Sequence, residues 1–347
     1  MALPAPAPLL PSGLMDVLPP QASAEFRLVY HFLKTFTAFG YQPVIPPMAE
    51  YAKTLLAGQG EATGHHVFRT ADTLAPEMLA IRADMTGQVA RIATSSLQSV
   101  SRPLRLCYAG YTLRTAPEAL KTRRQHTQVG IERFGDTKVT SVAEVLAVAA
   151  HALQVNGIEG LTLDLHYPSI MAELLVEFPH AMHVRVREAV RLKDIAALRQ
   201  MKADTIAALL EISGPAVDAI AGLRTIAHPH VQEAVHVLEQ LVAALHTQQV
   251  PATVTIDMLD LAGYGYYCGV GYTLFWNATG IEVGRGGCYR TLSEEEAVGF
   301  TLYVNDLLVH LPEEAPARVQ AIPVGTPAKE AARLHAEGII TIFGPPL

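Results

Sequence analysis

Cysteine is scarce in this chain of 347 residues, and the three present, Cys107, Cys268 and Cys288, form no C-x-x-C pair and have no His-x-x-x-His partner nearby. That spacing excludes a sequence-local zinc site and a disulfide framework, and implies reduced, buried thiols in a cytoplasmic protein. No uninterrupted apolar run reaches the roughly 18 residues that a membrane span needs, so no membrane is expected among its partners. The opening MALPAPAPLLPSG is apolar but has three prolines in its first eight residues and no basic start, so it does not read as a secretory signal. Charge is sparse too, at 17% of residues, and the 26 basic against 33 acidic side chains leave a net −7. Such a surface repels a phosphate backbone and counts against a nucleic-acid partner. What is abundant is apolar character: 50% of the residues are hydrophobic, enough to bury the core of one large domain or two unequal ones.

The apolar residues follow readable periods. Phe26, Val29, Tyr30, Phe32, Leu33 and Phe36 recur at helical spacing from Ala22 to Phe39, and Gly40 ends the run. A short β run, Tyr41 to Ile45, stops at Pro46 and Pro47. A strand near Leu79 to Arg82 is followed by a helix beginning after Thr86. Leu104 to Leu113 and Gln125 to Phe134 read as a long-looped antiparallel hairpin. Ser141 with Glu144 reads as a capping box ahead of VLAVAAHAL, and Asn156-Gly157 closes that helix. Leu161 to Leu165 is a further strand. From 168 to 251 alanine, leucine and long charged residues dominate, broken at Gly214-Pro215 and Pro229, which marks a helical insertion. Strands return at Val254 to Leu259, through GYGYYCGVGYTLFW, and at Gly280 to Val283; a helix follows around Tyr303 to Leu311. The last 36 residues carry one strand (Val319 to Val324), one helix (Lys329 to Gly338) and one strand (Ile339 to Phe343). The expected parts are therefore 1–167 and 252–311 as two pieces of one core, 168–251 as the insertion, and 312–347 as a short strand–helix–strand remnant.

Residues two apart on a strand share a face, so Gln128, Gly130 and Glu132 point together. An amide and a carboxylate flanking a bare backbone form a small polar hollow, or a face that simply meets solvent. Arg114, ending the partner strand, can reach that face and grip a carboxylate or phosphate, or lie in a mobile basic loop. Asp84 and Thr86 precede a helix, where an N-cap role accounts for at least one of them. Tyr264, Tyr266, Tyr267 and Tyr272 alternate with Gly263, Gly265, Gly269 and Gly271. Glycine beside rings leaves room for something to lie against them, where a plain sheet core would use Val or Ile. GRGGCYR, 284–290, is glycine-rich like a phosphate-cradling loop but lacks the Lys-Ser/Thr ending.

In order, SGLMDVLPP, the helix ending at the prolines near Pro47, LCYAGYTLR with RRQHTQVGIERFG, YGYYCGVGYTLF with GGCYR, and AVGFTLYVNDLL resemble the successive segments of histidyl-tRNA synthetases, over roughly residues 10 to 311. The resemblance implies an α+β fold: a class II aminoacyl-tRNA synthetase-like antiparallel sheet flanked by helices, with a helical insertion, dimerising through its first motif. It implies a histidine pocket in which Asp84 and Thr86 hold the α-amino group, and Gln128 and Arg114 lie near the amino and carboxylate end. Glu132 and Tyr267 meet the two imidazole nitrogens, and Tyr289 lines the pocket. A carboxylate opposite a phenol can serve imidazole in either protonation state.

The positions that serve ATP in that family do not match. The chain reads Ala116 for an acidic residue, Thr122 for a phosphate-contacting arginine, His126 for an adenine-stacking phenylalanine, Ala262 for the histidine-specific arginine and Asp306 for the third-motif arginine. Losing two arginines where phosphoryl charge develops should cost several kcal/mol each. The 36-residue tail is also too short for the family's anticodon-binding domain. This combination is similar to the synthetase-like regulatory subunits of ATP phosphoribosyltransferase, the first enzyme of histidine biosynthesis. The resemblance then implies no catalysis, no metal or cofactor, histidine as effector, a short catalytic subunit as partner, a self-dimer, and no tRNA. The alternative is a histidine-activating enzyme, a synthetase or amino-acid ligase without an anticodon-binding domain.

Overall fold

The computed structural model describes residues 10–57, 66–117, 122–261, 263–311 and 318–344. The chain divides into a large unit, Met1–His310, and a small one, Leu311–Leu347. The strands of the large unit are β1 (Gln42–Pro43), β2 (Ala49–Tyr51), β3 (Arg69–Ala71), β4 (Met78–Ile81), β5 (Leu104–Leu113), β6 (Gln125–Phe134), β7 (Leu161–His166), β8 (Ser213–Pro215), β9 (Ala252–Asp257), β10 (Tyr267–Trp276), β11 (Ile281–Arg290) and β12 (Glu296–Tyr303). Nine of them form one sheet in the order β1-β5-β6-β12-β11-β10-β7-β9-β8, and β2-β4-β3 form a second. The large sheet is antiparallel through its centre, with parallel pairings of β1 on β5 and β7 on β9 toward its edges. This is an α+β, class II synthetase-like architecture, flanked by helices as its sequence implies.

The helices are α1 (Gln21–Ala38), α2 (Ala52–Leu56), α3 (Thr86–Thr94), α4 (Val139–Gln154), α5 (Ile170–Leu175), α6 (His180–Arg191), α7 (Ile195–Gln200), α8 (Asp204–Glu211), α9 (Ala216–Leu223), α10 (Pro229–Thr247) and α11 (Val304–Leu308). In α1 the buried stripe is Leu28, Phe32 and Phe36, with Glu25 buried on the same face. Glu25 is bonded there by Thr127 Oγ1 at 2.5 Å and Asn305 Nδ2 at 3.2 Å. This ties α1 to β6 and α11 through satisfied polar groups, which is what makes a buried carboxylate tolerable. Phe26 and Tyr30, at 69% and 61% exposure, lie outside the stripe. No described helix is long and apolar enough to cross a membrane.

Several local expectations need correction. Ser141 and Glu144 form no capping box: α4 begins at Val139, Lys138 makes no side-chain cap, and Ser141 Oγ donates to Asp136 Oδ1. Glu144 instead accepts from Arg105 Nε and Nη2 at 2.7 and 2.9 Å, because its side chain faces β5 across the helix–sheet interface. GRGGCYR is no loop but half of β11, paired on both sides by β10 and β12. β12 was not anticipated, since AVGFTLY has no polar alternation; every residue after Glu296 is buried, as a central strand covered on both faces requires. Gly214-Pro215, read as a break between helices, belongs to the edge strand β8 on β9, so the 168–251 stretch is helical but not wholly so. Cys107 and Cys288 are buried, whereas Cys268 is exposed. In the small unit, β13 (Val319–Ile322) and β14 (Ile340–Phe343) pair in parallel around α12 (Ala328–Ala336), with Ile322, Ala331, Leu334 and Ile339 as its core.

Candidate functional site

A cavity of about 780 Å³ opens over the centre of the large sheet, walled by β6, β11 and β12 below, the β9–β10 loop, the start of α3 and one residue of α6. Its volume exceeds what a lone amino acid fills and lies within the range of small-molecule sites. Glycines make it. A Cβ at Gly299 would collide with the Glu132 carboxylate, one at Gly287 with the Tyr267 ring, and one at Gly271 with His166. Bare backbone at Gly287 and Gly299 thus makes room on the cavity wall for the Tyr267 ring and the Glu132 carboxylate.

Glu132 is the centre of the chemistry. It is 1% exposed on β6, and Tyr289 Oη donates to its Oε2 at 2.8 Å. Tyr108 Oη lies 3.4 Å from Oε1 and is bonded at 2.8 Å with Thr301 Oγ1. No cation touches the carboxylate among the described contacts. Burial therefore pushes its pKa up to about 8; the Tyr289 hydrogen bond pulls back against this, and the charge of Asp84 adds to it. Burial also holds the Tyr289 and Tyr267 phenols well above their ordinary value, so both remain neutral.

Asp84 and Thr86 stand at the start of α3. Asp84 Oδ1 accepts the Thr86 backbone N–H at 2.8 Å, and Oδ2 accepts Gln128 Nε2 at 3.2 Å. The N-cap expectation is not met, since the capping position is Met85 and no side chain caps the helix; Asp84 instead closes a local turn onto the Thr86 N–H and lines the cavity with Thr86. Gln128 is 2% exposed and does not line the cavity itself; its Oε1 is a buried acceptor with no donor among the described residues. The solvent-facing alternative for the Gln128–Glu132 face is excluded, since both side chains are buried.

Arg114, Tyr267 and Tyr289 also line the cavity, so six of the seven anticipated residues converge there and Gln128 stands behind Asp84. Tyr266 stacks on Tyr289 with ring centroids 5.2 Å apart, and meets Tyr267 edge-on at 5.4 Å. Ala116, Thr122, His126 and Asp306 do not line the cavity; His126 is buried with Nε2 3.1 Å from the Arg123 carbonyl. Ala262 lies outside the described residues. Tyr108 and Thr301 escaped notice because their role depends on β5 and β12 flanking Gly130 of β6, a register that sequence does not display. Two further arginines reach the cavity unannounced, Arg187 from α6 and Arg285 from β11. Arg285 is held by both oxygens of Glu282, each at 2.7 Å. Among the described residues no cluster of three or more His, Cys, Asp or Glu is arranged to hold a metal ion.

The histidyl-tRNA synthetase family model matches residues 13–307. A curated relative from Rhodospirillum centenum, named ATP phosphoribosyltransferase regulatory subunit, is 38% identical over 96% of this chain and 88% of its own length. One of the same name from Paramagnetospirillum magneticum is 37% identical over 97% and 90%. The chain belongs to the family of ATP phosphoribosyltransferase regulatory subunits. Among solved structures, an ATP phosphoribosyltransferase regulatory subunit/histidyl-tRNA synthetase from Bacillus halodurans superposes with a TM-score of 0.84 at 22% identity, covering 99% of this chain and 94% of that one. The ATP phosphoribosyl transferase complex from Thermotoga maritima contains a chain matching with a TM-score of 0.64 at 20% identity, over 83% and 98%. Family members thus share the synthetase fold around which the cavity is built.

Proposed function

We infer that this chain is a non-catalytic regulatory subunit of ATP phosphoribosyltransferase whose cavity binds histidine, in the first step of histidine biosynthesis. The observation that carries the ligand is Glu132: a buried carboxylate without a cation, roofed by two neutral tyrosines and open to a cavity floored by glycine. An imidazole supplies the donor it lacks, and Tyr267 faces the second ring nitrogen. The ligand's ammonium pairs with Asp84, which Gln128 steadies from behind, Thr86 supports that end, and Arg114 receives the carboxylate. Tyr289 keeps Glu132 in place. The partner is a short-form catalytic subunit in the cytoplasm, without tRNA, in keeping with the Thermotoga maritima complex and the net −7 of the chain.

The exposed Phe26, Tyr30, Ile45 and Met48 of the first-motif region support a self-dimer through that surface. Calorimetry with L-histidine on the purified chain tests the ligand, and an assay of the short catalytic subunit with and without this chain and histidine tests the role. Stimulation of the partner together with histidine inhibition is the expected result; histidine-dependent pyrophosphate exchange by the chain alone would sink it.

A further inference from the structure

We propose that Arg187 is a second receptor, besides Arg114, for the carboxylate of the cavity's ligand, so that an amino acid held by the core is also gripped at its acid end by the helical insertion. The inference rests on the reading of the cavity as an amino-acid site. Arg187 lies on α6, where Val186, Ala189 and Val190 are buried and fix the inner face of the helix. Arg187 itself is half-buried and forms part of the cavity wall. Its guanidinium stands 5.7 Å from the ring centroid of Tyr264, in the loop between β9 and β10. Stacking on a ring fixes the plane of a guanidinium while using none of its five N–H donors.

The charge of the cavity narrows what those donors meet. Arg285 is already committed to Glu282, Arg114 stands at the Asp84 end with its Nε 3.4 Å from the Ala83 carbonyl oxygen, and the acid side of the cavity is Asp84 and Glu132. Among the described residues Arg187 has no carboxylate partner. A zwitterionic ligand that gives its cationic groups to the acids has one charge left, a planar carboxylate, which matches the fork of a guanidinium in two parallel bonds. The plainer account, a solvated arginine resting on a tyrosine for packing, predicts no dependence on the ligand's charge.

The test is calorimetry on the full chain with L-histidine and with histamine, which keeps the imidazole and amine and lacks the carboxylate. Arg187→Ala is expected to weaken L-histidine about ten- to a hundredfold and leave histamine within about twofold, with Arg187→Lys in between for L-histidine. Equal loss for both ligands, or no loss for either, overturns the proposal. Inorganic phosphate is the third probe: loss of its binding in Arg187→Ala with L-histidine unchanged would assign the arginine to phosphate and overturn the carboxylate. Wild-type protein that binds neither L-histidine nor histamine would overturn the reading of the cavity itself, and this inference with it, before any variant is compared.

Discussion

Neighbouring residues of β6 carry opposite electrostatic designs on the two faces of one sheet. Arg133 points to the back, where it lies 3.2 Å from Asp136 and where Glu144 takes two bonds from Arg105 and one, at 3.1 Å, from Tyr41. Arg133 Nε approaches Glu144 at 3.4 Å, near enough for ion pairing but not aligned for a hydrogen bond. Burial pushes the Glu144 carboxyl up, but the Arg105 bonds outweigh it and hold it below its ordinary value. Glu132, one residue earlier, points to the front, receives only hydroxyls and is pushed up to about 8. The same strand thus shows that this fold can neutralise a carboxylate with arginine and does not do so at the cavity. A carboxylate left without a cation costs stability and leaves a place for one.

The comparison breaks most sharply at Glu132→Gln. The folded carboxyl titrates near 8 and the unfolded one near 4.5, so between those values the native state holds more protons and stability falls as pH rises. Removing the group should therefore stabilise the protein by several kcal/mol at pH 8 and by almost nothing near pH 4.5, read by urea denaturation at both. Histidine affinity should fall by a hundredfold or more in the same variant. A variant less stable at pH 8 would mean that the carboxylate is satisfied after all.

Gly299→Ala sharpens the steric side. Its Cβ would meet the Glu132 carboxylate and the Ile131 carbonyl, a fixed backbone atom, so the strand cannot yield cheaply. A loss of about 2 kcal/mol and at least tenfold in histidine affinity is expected, by denaturation and calorimetry. On the back face, Arg105→Ala should cost about 1–2 kcal/mol, since the pair is roughly 30% exposed on each side, and leave histidine affinity unchanged. Because Glu144 is depressed, its contribution is present above the ordinary carboxyl value and lost as pH falls, the reverse of the Glu132 profile.

The hairpin β5–β6 was legible to the residue, because ten-residue runs bounded by a polar loop leave little choice of period. The cavity was legible as a set of residue types and through family resemblance, but its electrostatics were not. Whether Glu132 meets an arginine depends on which strands flank β6, and Tyr108, Thr301 and Tyr289 come from three other strands. β12 was hidden for a related reason: a strand covered on both faces has no alternation to read. Glu144 was misassigned because a Ser-x-x-Glu pattern describes local spacing, whereas the tertiary pull of Arg105 set where the side chain went.

The smallest expected effect is at Tyr267, and it separates the two sides of the imidazole. Tyr267 lies against Gly287 and beside the buried His166, whose ring centroid is 6.4 Å away and whose pKa burial lowers to about 4. His166 is therefore neutral at pH 7, and the phenol in front of it keeps its proton. Tyr267→Phe preserves the ring packing and removes one neutral hydrogen bond, which should weaken histidine by about 1 kcal/mol, or roughly fivefold, with little change in stability. Glu132→Gln removes the group that can accept a full proton. If the two ring nitrogens are read unequally, as the carboxylate–phenol pairing requires, the Tyr267→Phe loss stays nearly constant between pH 6 and 9, while the advantage of wild type over Glu132→Gln changes across pH 8. Equal pH dependence of both losses would show that neither residue contacts the imidazole alone.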